Sequence, residues 1–599
     1  MAVAVYILAF IAGGRETLHH TLTDLKHGEV NIDLLMLAAA AGAAALGDWP
    51  EGAVLLFLFS LSHALEDFIL GRTRRAIAGL MELTPDEATL LRDGQEQRVP
   101  VEQLVVGDLV VVRPSERIPV DGVIDEGMTS VDQSPMTGES IPVDKSPGDV
   151  VFGGTLNQQG LIHVRVTRIA GETTLARMVK LVEQAQTERA ASQRFTEWFG
   201  PRYTWLVLGG SLAYFLLLWL ALGFAPYDAF YRSMAVLVVA SPCAVVLSIP
   251  AAILTAITSA ASGGVLFKGG VHLEDTALLK TMAFDKTGTL TRGRPELVGI
   301  ATAAGVSEEQ LLRAAVAIEQ RSEHPLARAI TQAAETRGYA AKPADEITSV
   351  PGFGVTGTVD GHRVQIGKAL WFEQNGPALP SELAPRLREF RTAGQTVIAV
   401  VEDQRFLGLL AVADTLRPTA VSAIGELKGL GIAPLLMLTG DSIDVARDFA
   451  GHLGLDYQAE LLPEDKLKHI ERLRERHGPV GMIGDGMNDA PALALANVGF
   501  SLGGAGTDVA LETADVVIMA DDLRRLPYAV TLARRTQRII RQNLAIAFGV
   551  MGTLLLVGLF FELPLPLAVL GHEGSTVLVI LNGLRLLAHP RPEPLLQPG

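Results

Sequence analysis

The 599-residue sequence has only one cysteine, Cys243, and few charged residues. A single thiol excludes an intramolecular disulfide, a C-x-x-C metal module and a zinc ribbon. Charged residues make up 19% of the chain, and 66 acidic against 50 basic side chains give a net charge of −16. Because nucleic-acid binding needs a basic surface, a nucleic-acid partner is not expected. Disordered and fibrous classes are excluded as well, since apolar residues reach 49% of the chain.

Long apolar runs are what the sequence does have, and they raise its mean hydropathy to +0.30. A membrane span needs about 20 mostly apolar residues. The runs that meet this requirement are 32–47, 51–70, 203–224, 231–257, 543–561 and 564–588. A further apolar stretch, 2–12, is too short to cross a membrane alone. It also lacks the basic flank and the cleavage site of a secretory signal. An all-soluble enzyme is therefore excluded.

Two polar blocks, about 75–200 and 264–540, interrupt the apolar runs. Only a two-span hairpin separates them, so both are expected on the same side of the membrane. The first block alternates short β-branched runs with turn residues, which predicts a compact β domain. The second alternates strand-like and helical stretches, which predicts a doubly wound α/β sheet with an insertion at about 298–408.

Three polar motifs in the second block each follow a strand-like apolar run. They are DKTGTLT from Asp285, TGD from Thr439 to Asp441, and GDGMNDAP from Gly484. In α/β sheets, ligands bind at the carboxyl ends of the strands. Asp285 at such an end can attack a phosphoryl group, Thr439 and Lys466 can hold that group, and the acids of GDGMNDAP suit Mg²⁺. A lone Asp-Gly pair is more often a simple turn, but three motifs in this order predict phosphoryl transfer.

DKTGTLT, TGES, TGD and GDGMNDAP, in this order and between paired spans, resemble the motifs of P-type ATPases. SEHPL and the triplet Ser241-Pro242-Cys243 resemble the heavy-metal-transporting branch, over about residues 1–588. The resemblance implies a multi-domain α-helical membrane protein that uses ATP and Mg²⁺. Its cytosolic part would comprise a β-rich actuator domain, an α/β phosphorylation domain of the haloacid-dehalogenase type and an α+β nucleotide-binding insertion.

The resemblance also implies roles for individual residues. Asp285 would be the phosphorylated nucleophile, and Glu139 of TGES would position the water that hydrolyses the aspartyl phosphate. The remaining residues fall into three sets: Thr439, Asp441 and Lys466 at the phosphoryl group; Asp285, Thr287, Asp485, Asn488 and Asp489 at Mg²⁺; and Glu319, His324, Gly352, Gly354 and Gly367 at ATP. The glycines taken alone are equally well explained as turns.

The same resemblance implies where the domains begin and end. The division is N-terminal membrane helices with a kinked amphipathic segment (1–74), actuator domain (75–200), membrane hairpin with the SPC motif (201–262), phosphorylation domain (263–297 and 409–540), nucleotide-binding domain (298–408), and last two membrane helices with the tail (541–599). The family has eight spans, whereas six full spans and one of half length are counted here. We therefore expect a further span upstream of residue 1.

The apolar runs 231–257 and 564–588 carry the candidate site for a transported ion. Proline disrupts a helix, so Ser241-Pro242-Cys243 predicts a kink that frees the carbonyl of Val238. His572 and Glu573 in the last run are costly to bury unless they are paired. With Cys243 they make a mixed nitrogen, oxygen and sulfur set that suits Zn²⁺, Co²⁺ or Fe²⁺ better than Cu(I). Ser241 and Thr576 are further candidate ligands, while a kinked span and a helix cap remain the simpler explanations.

SPC together with His572-Glu573-Gly574-Ser575-Thr576 resembles the subgroup associated with cobalt, with zinc, cadmium and ferrous iron also among its cargoes. The expected function is ATP-driven export of such a divalent metal across a bacterial inner membrane, with no obligate protein partner evident. One alternative is a P-type ATPase with another cation as cargo. The other is a membrane-anchored phosphatase of the same α/β fold, although such an enzyme needs neither TGES nor a nucleotide-binding insertion.

Overall fold

The computed structural model describes most of the chain, and every statement below concerns the described part. The described residues are 10, 14–15, 18–19, 21–23, 26, 33–61, 64, 85–92, 94–133, 142–177, 190–322, 324–350, 354–369, 371–372, 377–485, 489–502, 512–519 and 522–590. Glu139, Gly352 and Asn488 lie outside these residues, as do the rest of TGES and the final residues 591–599.

Two short apolar helices, α1 (Asp33–Leu46) and α2 (Trp49–Leu61), are joined by a tight turn in which Gly47 has a φ of +85°. Their buried faces belong to one core with residues of later membrane helices, including Leu237 and Leu565. Since α1 is only 14 residues long, it is shorter than an ordinary span.

A β domain follows these helices. Its strands are β1 (Glu87–Arg92), β2 (Gln95–Pro100), β3 (Leu109–Val112), β4 (Gly122–Glu126), β5 (Thr129–Asp132), β6 (Val143–Lys145), β7 (Val150–Val151), β8 (Leu156–Asn157) and β9 (Ile162–Val166). They form a six-stranded sheet in the order β2-β1-β3-β9-β4-β7 and a three-stranded sheet β6-β5-β8. Alternate apolar side chains fill a separate core between them, as the short β-branched runs predict.

Three helices form the central membrane segment: α3 (Ala191–Leu216), α4 (Pro226–Val239) and α5 (Cys243–Ser262). Predicted as a single run, 231–257 is two helices, because the chain leaves the helical path at Ser241-Pro242. The kink does not leave the carbonyl of Val238 unpaired, since it accepts a hydrogen bond from the backbone N–H of Ser241 at 3.2 Å.

The phosphorylation domain is built on a seven-stranded sheet with the order β10-β22-β21-β20-β11-β18-β19. Its strands are β10 (Val265–Phe267), β11 (Thr281–Asp285), β18 (Leu435–Leu438), β19 (Asp456–Gln458), β20 (Val480–Gly484), β21 (Val498–Leu502) and β22 (Val516–Ile518). All neighbours are parallel except β10 and β22. The helices of this domain are α6 (Gly270–Leu278), α10 (Ala420–Gly429), α11 (Ile443–Leu453), α12 (Pro463–His477) and α13 (Ala490–Leu495).

An antiparallel sheet is inserted between β11 and β18, with the strand order β12-β17-β16-β15-β14-β13. Its strands are β12 (Thr291–Thr302), β13 (Asp345–Val350), β14 (Gly354–Val359), β15 (His362–Lys368), β16 (Thr396–Glu402) and β17 (Arg405–Leu416). Helices α7 (Glu308–Glu319), α8 (Pro325–Thr336) and α9 (Ala384–Thr392) belong to the same insertion. The two long strands begin and end the insertion side by side, so this sheet reaches from Thr291 to Leu416, beyond the boundaries expected from the sequence.

Two helices complete the described chain, α14 (Arg525–Phe560) and α15 (Leu565–Leu584). The first half of α14 packs in the core of the phosphorylation domain, and its second half is apolar enough to span a membrane. Among the described residues, four helical stretches meet the length and composition of a span: 192–221, 226–262, 525–560 and 565–584.

Candidate functional site

Asp285 ends β11, an inner strand of the parallel sheet, and is 7% exposed. The strand lies between β18 and β20, and all of its residues are buried. The apolar sequence TMAF therefore brings a carboxylate to the carboxyl edge of the sheet, where ligands bind in α/β folds.

Lys466 joins Asp285 to a second buried carboxylate. Its Nζ donates to Asp285 Oδ1 at 2.5 Å and to Asp489 Oδ1 at 2.7 Å. Lys466 stands in the first turn of α12, and Asp489 directly precedes α13. Three motifs that are up to 204 positions apart in the chain thus meet at one sheet edge, and one ammonium group holds the two acids together.

The electrostatics of this group reflect burial and charge together. Burial raises the pKa of Asp285 to about 6, the charge of Asp489 adds to the increase, and Lys466 opposes it. Burial also raises the pKa of Asp489, again against the effect of Lys466. For Lys466 itself, burial works against the charged form, but the two carboxylates raise its pKa overall. Buried like charges beside one lysine create the perturbed titration that is typical of functional sites.

The acids at this edge fit a small hard cation. Asp489 Oδ2 is buried and has no hydrogen-bond partner among the described residues. A Cβ at Gly288 would lie 3.5 Å from Cβ of Asp485, so the DKTGT loop and Asp485 face each other closely. No three His, Cys, Asp or Glu side chains of the described residues form a ready metal cluster. Mg²⁺ does not need one, because it typically takes one or two carboxylates and completes its shell with water and phosphate oxygens.

Two residues that the sequence analysis missed hold the DKTGT loop in place. Arg417 donates from Nε to the Thr289 carbonyl at 2.7 Å and from Nη2 to the Gly288 carbonyl at 2.8 Å. Asp414 accepts hydrogen bonds from Thr291 and, at 2.9 Å, from the backbone N–H of Gly293. In the sequence, Asp414 and Arg417 are two charged residues at the point where the chain returns from the insertion. Local sequence patterns do not distinguish such residues from ordinary exposed surface residues.

The TGD motif follows β18, next to the strand that ends at Asp285. Thr439 is 3% exposed, and its Oγ1 accepts a hydrogen bond from the backbone N–H of Asp441 at 3.1 Å. Asp441 also forms an ion pair with Lys286. The motif is therefore a rigid turn linked to the DKTGT loop.

The candidate nucleotide residues are spread over the insertion. Glu319 ends α7, and burial raises its pKa although a hydrogen bond from Ser322 opposes the shift. His324 caps α8, where its Nδ1 accepts the backbone N–H of Leu326 at 3.2 Å. Gly354 pairs with Gly367 across β14 and β15, and a Cβ at Gly354 would lie 2.1 Å from the carbonyl oxygen of Ile366. Gly354 therefore has a packing reason to be glycine, whatever its role toward ATP.

The candidate ligands in the membrane lie on separate helices. Cys243 begins α5 and is 7% exposed, and its Sγ lies 3.2 Å from Oγ of Ser241. His572, Glu573 and Thr576 are all buried in α15. Although α5 and α15 pack against each other, no metal cluster of three ligands is formed within the part of the chain that the structure describes.

In α15, Nε2 of His572 and Oγ1 of Thr576 are buried without hydrogen bonds among the described residues. Nε2 of His572 lies 4.0 Å from Oε1 of Glu573, too far for a hydrogen bond, and it has no other partner in the described residues. Oγ1 of Thr576 is also buried without one. Because such groups are costly in a membrane, they mark a place where a ligand is expected.

A buried aspartate at the end of a parallel strand, with a lysine and a second acid beside it, is the arrangement that a phosphotransfer enzyme requires. Residues 279–497 match the family of haloacid dehalogenase-like hydrolases, and residues 82–183 match the P-type ATPase actuator domain. The six-stranded sheet of the β domain lies within the second match.

Relatives that match nearly the whole chain are also P-type ATPases. A zinc-transporting ATPase of Bacillus subtilis is 43% identical over 98% of this chain and 92% of its own length. A probable cobalt/nickel-exporting P-type ATPase of Mycobacterium bovis is 42% identical over 98% of this chain and 88% of its own length. The crystal structure of a zinc-transporting PIB-type ATPase is 39% identical, covers 97% of this chain and 94% of its own, and has a TM-score of 0.64.

The chain belongs to the P-type ATPase family, and its relatives lie in the metal-transporting branch. The predicted fold class, a membrane protein with an actuator domain and a haloacid-dehalogenase-like domain, is confirmed. So are the ATPase activity, the use of ATP and Mg²⁺, and the location in a bacterial membrane. The alternative of a membrane-anchored phosphatase is excluded, because the match extends over the actuator domain and the membrane helices.

Proposed function

We propose that this ATPase exports a divalent transition metal, and that Cys243, His572 and Glu573 bind it in the membrane. The observation that carries the proposal is the pair of packed helices, α5 and α15, which hold these buried side chains. Helix α5 leads through Gly263 and Gly264 into β10 of the phosphorylation domain. The candidate metal site is therefore joined through the single helix α5 to the sheet that carries Asp285.

In the proposed reaction an oxygen of Asp285 attacks the γ-phosphorus of ATP. The new oxygen–phosphorus bond forms as the bond to ADP breaks, which leaves an aspartyl phosphate and free ADP. Lys466, 2.5 Å from Asp285, offsets the charge of the incoming phosphoryl oxygens. Thr439 and Asp441 form the turn beside it, with the Thr439 hydroxyl available to a phosphoryl oxygen.

Mg²⁺ would be held by Asp485 and Asp489, together with Asp285, Thr287 and Asn488. When bound, it supplies Lewis-acid stabilisation of the negative charge on the phosphoryl oxygens. Hydrolysis returns the carboxylate: a water, positioned by Glu139, attacks phosphorus and releases inorganic phosphate. Glu319, His324, Gly352, Gly354 and Gly367 are proposed to bind ATP on the inserted sheet.

The ligand chemistry favours a borderline divalent ion. One thiolate, one imidazole and one carboxylate suit Zn²⁺, Co²⁺, Cd²⁺ or Fe²⁺, whereas Cu(I) favours several sulfur ligands. Ser241 and Thr576 are proposed as further ligands or as partners of the first three. The printed functions of the relatives, zinc transport and cobalt/nickel export, lie within this range.

ATP hydrolysis by the purified protein, measured against Co²⁺, Zn²⁺, Cd²⁺, Fe²⁺ and Cu⁺, tests the proposal. We expect stimulation by one or more of the divalent ions and little by Cu⁺. Asp285→Asn should abolish all hydrolysis, and Cys243→Ala should weaken only the metal-stimulated part by raising the metal concentration that it requires. Turnover that is independent of metal and unchanged in Cys243→Ala would contradict the assignment of the membrane site.

A further inference from the structure

The turn that follows the last membrane helix is built into the core of the phosphorylation domain. Helix α15 ends at Leu584, and Leu586 is completely buried. Leu586 shares its core with Leu526 and Ala529 at the start of α14. The end of α15 is therefore packed against α14.

His589, three residues further on, makes two specific contacts with α14. Its ring stacks on Tyr528, with ring centroids 5.3 Å apart and planes at 28°. Nη1 of Arg535 lies 3.1 Å from His589 Nδ1, and Nη2 of the same arginine donates to the Arg585 carbonyl at 3.4 Å. Because a guanidinium can only donate, Nδ1 must accept, so the imidazole is neutral with its proton on Nε2. Burial and the charge of Arg535 lower the pKa of His589, which agrees with this assignment.

Tyr528, whose ring stacks on His589, also contacts the end of α5. Its hydroxyl donates to the Ser259 carbonyl at 3.1 Å, in the last turn of that helix. A Cβ at Gly263 would lie 2.6 Å from the tyrosine oxygen and 2.8 Å from its ring. Only glycine at this position allows the ring so close. The adjacent Arg525, which is 1% exposed, donates to the Gly263 carbonyl at 2.7 Å.

We propose that His589, Tyr528 and Ser259 form a latch that fixes the cytosolic end of α15 to the cytosolic end of α5. The latch lies between the two helices that carry Cys243, His572 and Glu573, on the side where α5 enters the phosphorylation domain. When metal binding shifts either helix, the latch makes both helices move together, and α5 passes this movement to β10 of the phosphorylation domain. His589 and Tyr528 are positioning residues in this reaction. The inference rests on the proposed function, since it assigns the transmission of the metal signal.

The test compares two reactions of the full-length purified protein. Metal-stimulated phosphorylation of Asp285 by ATP requires the signal from the membrane. Phosphorylation by inorganic phosphate, with Mg²⁺ but without a transition metal, is the reverse of hydrolysis and requires only the sheet-edge site. We expect His589→Ala to lower the first by about three- to thirtyfold and to leave the second unchanged. His589→Phe, which keeps a stacked ring, should restore most of the loss.

A double-mutant cycle completes the test. Tyr528→Phe removes only the hydroxyl that reaches Ser259, and adding His589→Ala to it should cost little more, because both act through one chain of contacts. His452→Ala, an exposed histidine on α11, is the matched control and should change neither reaction. The latch is contradicted if His589→Ala lowers both reactions equally, if it lowers neither, or if the two substitutions add fully. If wild-type phosphorylation does not respond to metal, the proposed function itself fails, and that result is separate from a failure of the latch.

Discussion

The sheet-edge site and the membrane site differ in how far their side chains are already assembled. At the sheet edge, Lys466 lies 2.5 Å from Asp285 and 2.7 Å from Asp489, although the three residues come from distant parts of the chain. In the membrane, Cys243 and the pair His572 and Glu573 lie on packed helices without forming a three-ligand cluster among the described residues. Nε2 of His572 is buried there and has no hydrogen bond within the described part of the chain.

The difference follows from how firmly a parallel sheet and a pair of packed helices hold their side chains in position. Parallel strands bring their carboxyl ends to one edge whatever is bound, so the phosphotransfer groups are organised in advance. Two packed helices can slide or rotate, and an ion that binds side chains on both helices stabilises one arrangement over the others. We infer that the metal assembles its own site, and that this change is the signal carried to Asp285.

The largest expected effect is at the preassembled site. Replacing Asp285 with Asn removes the nucleophile, so phosphoenzyme formation and ATP hydrolysis should fall by about 10⁴-fold or more. Asp456→Asn, an exposed acid on β19 of the same sheet, is the matched control and should leave both rates unchanged. Residual acid-stable phosphoprotein in Asp285→Asn would place the phosphate on another residue.

Removing the ammonium that joins the two acids should have the next largest effect. Lys466→Ala loses charge stabilisation of the phosphoryl group, and we expect kcat to fall by about 10²- to 10³-fold. Lys468→Ala removes an exposed lysine two positions further along the same helix and should be silent. Equal losses in the two variants would argue that Lys466 stabilises α12 and does not act on the phosphate.

Weaker effects, confined to metal dependence, are expected from the membrane ligands. Cys243→Ala and His572→Ala should each raise the Zn²⁺ concentration for half-maximal ATP hydrolysis by about 10- to 100-fold. Phosphorylation by inorganic phosphate, with Mg²⁺ but without a transition metal, should be retained in both, because the sheet-edge site is intact. If either variant also lost that reaction, the two sites would not be separable as described.

The pH dependence of phosphoenzyme formation tests the environment of Asp285 at the sheet-edge site. The pKa of Asp285 is raised to about 6, so its protonated fraction grows as the pH falls through that value. A protonated carboxyl is a poor nucleophile, and we expect the rate of phosphoenzyme formation to be half-lost near pH 6. Lys466→Ala should move this acidic limb to higher pH, because the lysine charge lowers the pKa of Asp285. A wild-type profile that is flat through pH 6 would contradict the assigned environment.

The smallest effect should come from Ser241. Its Oγ lies 3.2 Å from Sγ of Cys243, so Ser241→Ala removes one hydrogen bond at the proposed ligand. We expect a loss of about two- to tenfold in apparent Zn²⁺ affinity with unchanged maximal turnover. Ser248→Ala on α5, where the Ser248 hydroxyl donates to the Val245 carbonyl at 2.9 Å, is the control. A larger loss than in Cys243→Ala would make Ser241 a primary ligand.

The sequence predicted that Asp285 and Thr439 lie at one edge of the sheet, because this placement follows from the strand ends. Asp285 and Thr439 each follow an apolar run that forms a parallel strand. Once these strands pair in the sheet, both residues lie at its carboxyl edge. Arg417 and Asp414 were not predicted, since they reach the DKTGT loop through the return of a strand more than 100 positions later. The latch around His589 was missed for a similar reason: the residues after Leu584 look like the end of a span until α14 is packed beside them.

X-ray absorption of the Zn²⁺-loaded protein tests most directly whether the metal assembles the membrane site. Cys243 is the only thiol in the chain, so a sulfur neighbour at about 2.3 Å identifies it without ambiguity. The account predicts one such sulfur together with nitrogen and oxygen ligands at about 2.0–2.2 Å, the sulfur being lost in Cys243→Ala and a nitrogen in His572→Ala. Stoichiometric Zn²⁺ with no sulfur neighbour, or a spectrum unchanged in both variants, would contradict it.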